Sequence, residues 1–150
     1  MRSYKFTEHI DRPPQVVWDT LVDLTLAPRW RPAIRSMETT DGGPVRAGSK
    51  LKITMEFMGR RESRVTETVV FEPPRRWVVR SSDKPAMEGF FEFIVEPERS
   101  GSGTRVTATA DLKAHEFLAW LFLPLVARGE RKRRLEMLGN LKRLVEALPG

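Results

Sequence analysis

Between Ile34 and Leu112 apolar and polar residues alternate in short runs broken by turn signals, and then the period changes. Leu135, Leu138, Leu141, Val145 and Leu148 recur at three- and four-residue spacing, with Met137 and Leu144 widening the stripe. A period of two belongs to strands with one wet face, and a period near 3.6 to a helix with an apolar stripe. Neither can bury its apolar side alone. A helix laid on the inner face of an antiparallel sheet buries both at once, so the pattern predicts an α+β chain in which the sheet receives the last helix.

The individual elements follow from the same pattern. Tyr4 to Ile10 reads as a strand, with Tyr4, Phe6 and Ile10 on one face and Lys5, Thr7 and His9 on the other. Asp11-Arg12-Pro13-Pro14 stops it; Asp11 is placed to cap a helix, and prolines are tolerated in a first helical turn. Val16, Val17, Thr20, Leu21 and Leu24 give that helix its stripe, and Pro28 and Pro32 confine the next helical piece to a short segment around Trp30. Strands are then predicted around Leu51–Phe57, Glu62–Glu72, Trp77–Val79, Phe91–Val95 and Val106–Leu112, joined by short turns as in a meander. Pro124 or Gly129 is expected to break the helical remainder into a short apolar piece and a long final helix.

Composition removes several kinds of chemistry. There is no cysteine, hence no disulfide, thiolate metal site, iron–sulfur cluster or cysteine nucleophile, and the only histidines are His9 and His115. No metal and no cofactor is expected. His115-Glu116 is followed by Ala119 where a zinc-protease helix would need its second histidine, so His115 reads as a surface residue at a helix start. Gly101-Ser-Gly103 lacks a phosphate-loop lysine and reads as a turn. The longest apolar stretch, Phe117 to Val126, is 10 residues, against about 20 for a membrane span. With no apolar h-region at the start, a cytoplasmic location is expected.

The order strand, two short helices, antiparallel strands, long helix is a helix-grip layout, and the residues resemble one superfamily in that order. Ile10-Asp-Arg-Pro-Pro-Gln-Val-Val-Trp18-Asp-Thr-Leu, Trp30-Arg-Pro32, the strand after Gly48, Phe71-Glu-Pro-Pro-Arg-Arg76, Gly103-Thr-Arg-Val-Thr107 and Leu141-Lys-Arg-Leu-Val-Glu146 together resemble the START-like superfamily, in its polyketide cyclase/dehydrase and lipid-transport (SRPBCC) branch. The resemblance runs over nearly the whole chain. It implies one domain over residues 1–150, a curved antiparallel sheet of about six to seven strands around the C-terminal helix, and a pocket for an apolar small molecule. It does not choose a reaction, because fold is not function.

Strand parity nominates the pocket residues. Trp30 stands in the segment expected over the cavity mouth; Met55, Phe57, Val65, Trp77, Phe91, Phe93 and Val106 would form the sheet wall, and Leu138 and Leu141 the helix side. Glu67 shares its parity with Val65, Val69 and Phe71, so a regular strand would turn it inward; Glu8 shares parity with Phe6 and Ile10. A carboxylate in apolar surroundings favours its protonated form, which suits a general acid. A β-bulge or an exposed strand end would place either one in water instead.

The net charge is +6, and Arg128 to Arg143 carries most of it, with seven basic residues against Glu130 and Glu136. Arg131, Lys132, Arg133 and Arg134 beside the apolar Phe117–Val126 stretch could touch an anionic membrane, or could be a solvated helix face. No nucleic-acid recognition pattern is present; a homodimer through Phe117–Val126 stays open. Three functions remain. The first is a carrier of an apolar small molecule (lipid, isoprenoid or polyketide-like). The second is a cyclase or dehydratase using Glu67 or Glu8, and the third a membrane-surface or partner-protein adaptor.

Overall fold

The computed structural model describes residues 2–32, 34–57, 59–84, 87–99, 103–114 and 117–148. The chain runs β1 (Arg2–Ile10), α1 (Pro14–Val22), a 3-10 turn (Leu24–Leu26), α2 (Ala27–Trp30), β2 (Ile34–Thr39), β3 (Lys50–Phe57), β4 (Arg60–Glu72), β5 (Arg76–Lys84), β6 (Met87–Pro97), β7 (Thr104–Ala114) and α3 (Phe117–Glu146). The strands form one antiparallel sheet in the order β1-β7-β6-β5-β4-β3-β2, and α3 lies mainly over β1 and β7. This is the open seven-stranded, helix-gripping α+β architecture that the alternating strands and the single long apolar stripe predict.

The start of α1 differs from expectation. Pro13 holds the N-cap position and no side chain caps the helix. Asp11 is engaged elsewhere: its amide donates to Glu146 Oε2 at 2.8 Å. Around that bond the end of α3 is clamped to the β1–α1 corner. Arg12 Nη2 donates to the carbonyls of Glu146 and Leu148 at 2.6 and 3.3 Å, and Lys142 Nζ donates to the His9 carbonyl at 2.6 Å. The last carbonyls of a helix lack partners of their own, and a guanidinium there satisfies them and complements the helix dipole.

The expected break in the last helix is also absent: α3 is one helix of 30 residues with Pro124 inside it. Pro124 is exposed, so the amide donor it lacks is missing on the solvent side, where the cost is lowest. The packed half of α3 buries Met137, Leu138, Leu141 and Val145, all at 2% exposure or less.

The corner clamp makes stability acid-sensitive. The Asp11 amide, ahead of the opposing effect of burial and the attraction of Lys142, holds the Glu146 carboxyl below its ordinary range. A carboxyl depressed in the folded state stabilises above its unfolded pKa, and that contribution disappears as pH falls through the lower folded value. Glu146→Gln is therefore expected to lower the melting temperature at neutral pH. The gap from wild type should narrow as the melts are taken to acid pH, below the usual carboxylate range. A constant gap at every pH would show that the carboxylate charge is not what matters.

Candidate functional site

Cross-strand register sorts the inner face into rows, and the rows place the site. Trp77 faces Phe93, which faces Ala108; Val79 faces Phe91, which faces Ala110; Thr66 faces Ser81, which faces Gly89; Arg64 faces Ile53, which faces Met37. The first row is filled by aromatic rings. Trp77 stands 6.2 Å from Phe71 and 6.3 Å from Phe93, and Phe93 lies 6.0 Å from Trp30. The following rows carry smaller or polar side chains, and the space they leave is a cavity of about 100 Å³ between sheet and helix. Gly89 helps shape it: a Cβ there would lie 2.9 Å from the Phe91 ring, so only glycine lets that ring lie back against the sheet.

Ile53, Met55, Val79, Phe91 and Phe93 from the sheet, Ile34 and Pro32 from the segment after α2, and Met137 from α3 make the apolar wall. Thr66, Ser81 and three arginines, Arg31, Arg64 and Arg133, complete it. Arg31 is positioned by local sequence. It precedes Pro32, a proline disfavours the helical conformation in the residue before it, and Arg31 is accordingly extended and ends α2. Its guanidinium carbon then stands 4.6 Å from the Trp30 ring centre, 5.4 Å from Phe93 and 5.7 Å from Trp77, within cation–π range of all three. Arg64 Nη2 reaches Glu62 at 3.6 Å. Its buried Nε, and the buried hydroxyl of Thr66, have no hydrogen-bond partner among the described residues. Arg31, Pro32 and Ile34 also border an open groove of about 510 Å³ along α2, which reaches Glu136 and Asn140 on α3.

The nominated residues divide three ways. Met55, Phe91 and Phe93 line the cavity. Trp30, Trp77, Val106, Leu138 and Leu141 stand in the close-packed core, each at 2% exposure or less, though Trp30 also borders the groove. Val65, at 45% exposure, and Glu67 are on the outer face. Glu67 meets Arg80 Nη2 at 3.5 Å there. The inward placement of these two is corrected by a bulge: Thr68 pairs with Val79 but Val70 pairs with Val78, so Val69 is an extra residue. Phe71 faces inward above the bulge, and below it the inner residues are Thr68, Thr66 and Arg64. Glu8 lies opposite the fully buried Val106, but its carboxylate stands 3.8 Å from Lys142 under α3, away from the cavity. The side chain of Phe57, and His115, lie outside the described residues.

Arg31, Arg64, Thr66, Ser81 and Arg133 were not legible as pocket residues from parity and hydropathy, because all are polar. One signal could have found two of them. Phe57 pairs with Arg60 across the turn at Gly59, and counting outward from that pair sets Arg64 and Thr66 opposite the apolar Ile53 and Leu51.

Residues 1–146 match the family described as polyketide cyclase / dehydrase and lipid transport. The chain belongs to that family. No curated protein sequence matches it. Solved structures with the same fold include a protein from Thermus thermophilus (TM-score 0.76, 19% identity, covering 97% of this chain and 98% of that one). A START superfamily protein from Mycobacterium smegmatis gives 0.75 at 16% identity over 98% and 99% of the two chains. The Zhui aromatase/cyclase from Streptomyces gives 0.72 at 18% identity over 99% and 98%. At these identities the likeness is one of fold, which this family member shares over its full length. Among the described residues no helix is long and apolar enough to cross a membrane, and no cluster of histidine and carboxylate side chains could hold a metal ion.

Proposed function

We propose that the chain, with residues 1–150 working as one domain, binds a largely apolar small molecule between its sheet and α3 and acts as a carrier or binding protein for it. The carrying observation is the cavity wall, in which Ile53, Met55, Val79, Phe91, Phe93 and Met137 face a common space instead of filling it. Small-molecule sites are ordinarily of this kind, mostly apolar with a few placed polar groups. About 100 Å³ is less than a benzene-binding cavity of roughly 150 Å³ offers. A lipid, isoprenoid or polyketide-like guest therefore has to enlarge it, and Met55 and Met137 are suited to moving aside because thioether side chains repack at low cost. The groove along α2 offers room for the part of the guest that does not fit.

The carrier reading is preferred over the cyclase or dehydratase reading on the placement of the carboxylates. Glu67 is spent on Arg80 outside, and Glu8 on Lys142 under α3. The adaptor reading loses part of its basis too, since Arg133 of the basic stretch lines the cavity.

The test is uptake of a neutral fluorescent probe, N-phenyl-1-naphthylamine, with native mass spectrometry of the gently purified protein to identify any guest it already carries. Val79→Trp, which fills the cavity from the sheet, is expected to weaken probe binding by about tenfold or more, the loss of one well-buried apolar contact. Glu67→Gln, on the opposite face, should leave it unchanged. Equal binding by wild type and Val79→Trp would move the site elsewhere, and a large loss in Glu67→Gln would restore the carboxylate to the mechanism.

A further inference from the structure

We infer that the guest is an amphipathic acid, held by its anionic oxygen group against Arg64 and Thr66 while its apolar part occupies the remainder of the cavity. This deepens the binding reading above and rests on it. Three arginines, Arg31 just after α2, Arg64 on β4 and Arg133 on α3, line one small and otherwise mostly apolar space. Buried donors without partners are costly in such a wall, and Arg64 Nε and the Thr66 hydroxyl are two of them, although Arg64 Nη2 also stands 3.6 Å from the exposed Glu62. An anionic oxygen group brought in from outside can accept from both donors, which a neutral hydrocarbon guest of the same shape cannot do.

Two donors fix where that anion would sit. Arg64 and Thr66 are alternate residues of β4, so both side chains leave the same face of the strand about 7 Å apart. Arg64 Nε is buried with no partner among the described residues, and so is the Thr66 hydroxyl, in a residue 8% exposed. A guanidinium edge offers two parallel N–H groups to a carboxylate, and a neighbouring hydroxyl can supply a further donor to the same oxygens. Arg31, held against three rings, borders the same space and does not have to be ordered when the guest arrives. Both sides of the guest are thereby described: an oxygen anion at the Arg64 end, and hydrocarbon towards Phe91, Phe93 and Met137.

A matched pair of competitors tests the inference. Dodecanoate and 1-dodecanol share a chain length and differ in charge, and each can be titrated against bound N-phenyl-1-naphthylamine. Dodecanoate is expected to displace the probe at concentrations about tenfold or more below dodecanol, the scale of one charge-assisted hydrogen bond. Arg64→Gln should bring the ratio of dodecanol to dodecanoate displacing concentrations close to one, whatever happens to probe affinity itself, and so remove most of that preference. Thr66→Val, of nearly the same shape, should reduce it by a smaller factor and serves if Arg64→Gln folds poorly. Equal displacement by acid and alcohol in the wild type would overturn the acid assignment while leaving the cavity reading standing. A preference that survives both substitutions would overturn the placement at Arg64 and Thr66. Failure of the wild type to take up the neutral probe would overturn the cavity reading and this inference with it.

Discussion

Trp77→Ala is expected to lower the free energy of unfolding by about 3–5 kcal/mol, a large share of the roughly 5–15 kcal/mol that holds a typical domain together. Trp77 is 1% exposed and stands between Phe71 and Phe93, with Arg31 over its ring face. Truncation removes those contacts and leaves a void that the sheet backbone cannot close. It also orphans a polar group, because the indole Nε1–H donates at 3.1 Å to the hydroxyl of Thr68, which is fully buried. Trp77→Phe separates the two contributions: it keeps most of the ring contact and loses the donor, so its cost should be clearly smaller. Urea unfolding of the three proteins checks this through the midpoint, with the slope unchanged if both states keep their compactness. Trp77→Ala within about 1 kcal/mol of wild type would mean that the aromatic row is not the keystone its packing indicates.

The second large effect is expected on α3. Leu141→Ala should cost about 2–5 kcal/mol, since Leu141 is fully buried where the helix docks on the sheet. Leu135 provides an internal control: it is the same residue type on the same helix, but 54% exposed. Leu135→Ala should shift stability by no more than about 0.5 kcal/mol. Similar losses at both positions would mean that intrinsic helix strength, and not docking, governs α3. Thermal and denaturant unfolding of the pair suffices, and the result needs no knowledge of the ligand.

Local pattern carried most of the fold. Leu51, Met55, Val106 and Ala108 alternate with polar neighbours and are buried, and Phe93 and Val95 keep the same parity around Ile94. The spacing of Leu138, Leu141 and Val145 set which side of α3 faces the sheet. The site was less legible, for a specific reason. Parity propagates an error along a strand, and the single extra residue at Val69 exchanges the two faces of β4 below it. Because Val65 is apolar and Arg64 charged, hydropathy endorsed the wrong face: Val65 is 45% exposed while Arg64 lines the cavity. The break expected at Pro124 did not appear: a proline costs a helix one amide donor and crowds the carbonyl four residues earlier, yet α3 runs on through it with Pro124 on the exposed side. Tertiary placement decided both, and a window of sequence contains none.

The order β1-β7-β6-β5-β4-β3-β2 also constrains the history of each molecule. Arg2 pairs with Leu112 and Ile10 with Thr104, so β1 is paired with β7, the strand farthest from it in sequence among the described ones. A ribosome adding about 5–20 residues per second leaves roughly 5–20 seconds between the appearance of β1 and that of its partner. During that interval β3 to β6 can zip up as successive hairpins while β1 waits, its Phe6 and Ile10 side chains uncovered and its backbone edge open. The nascent chain therefore presents β1 unpaired until β7 appears, and slowing translation ahead of β7 should lengthen its dependence on chaperones that hold such segments.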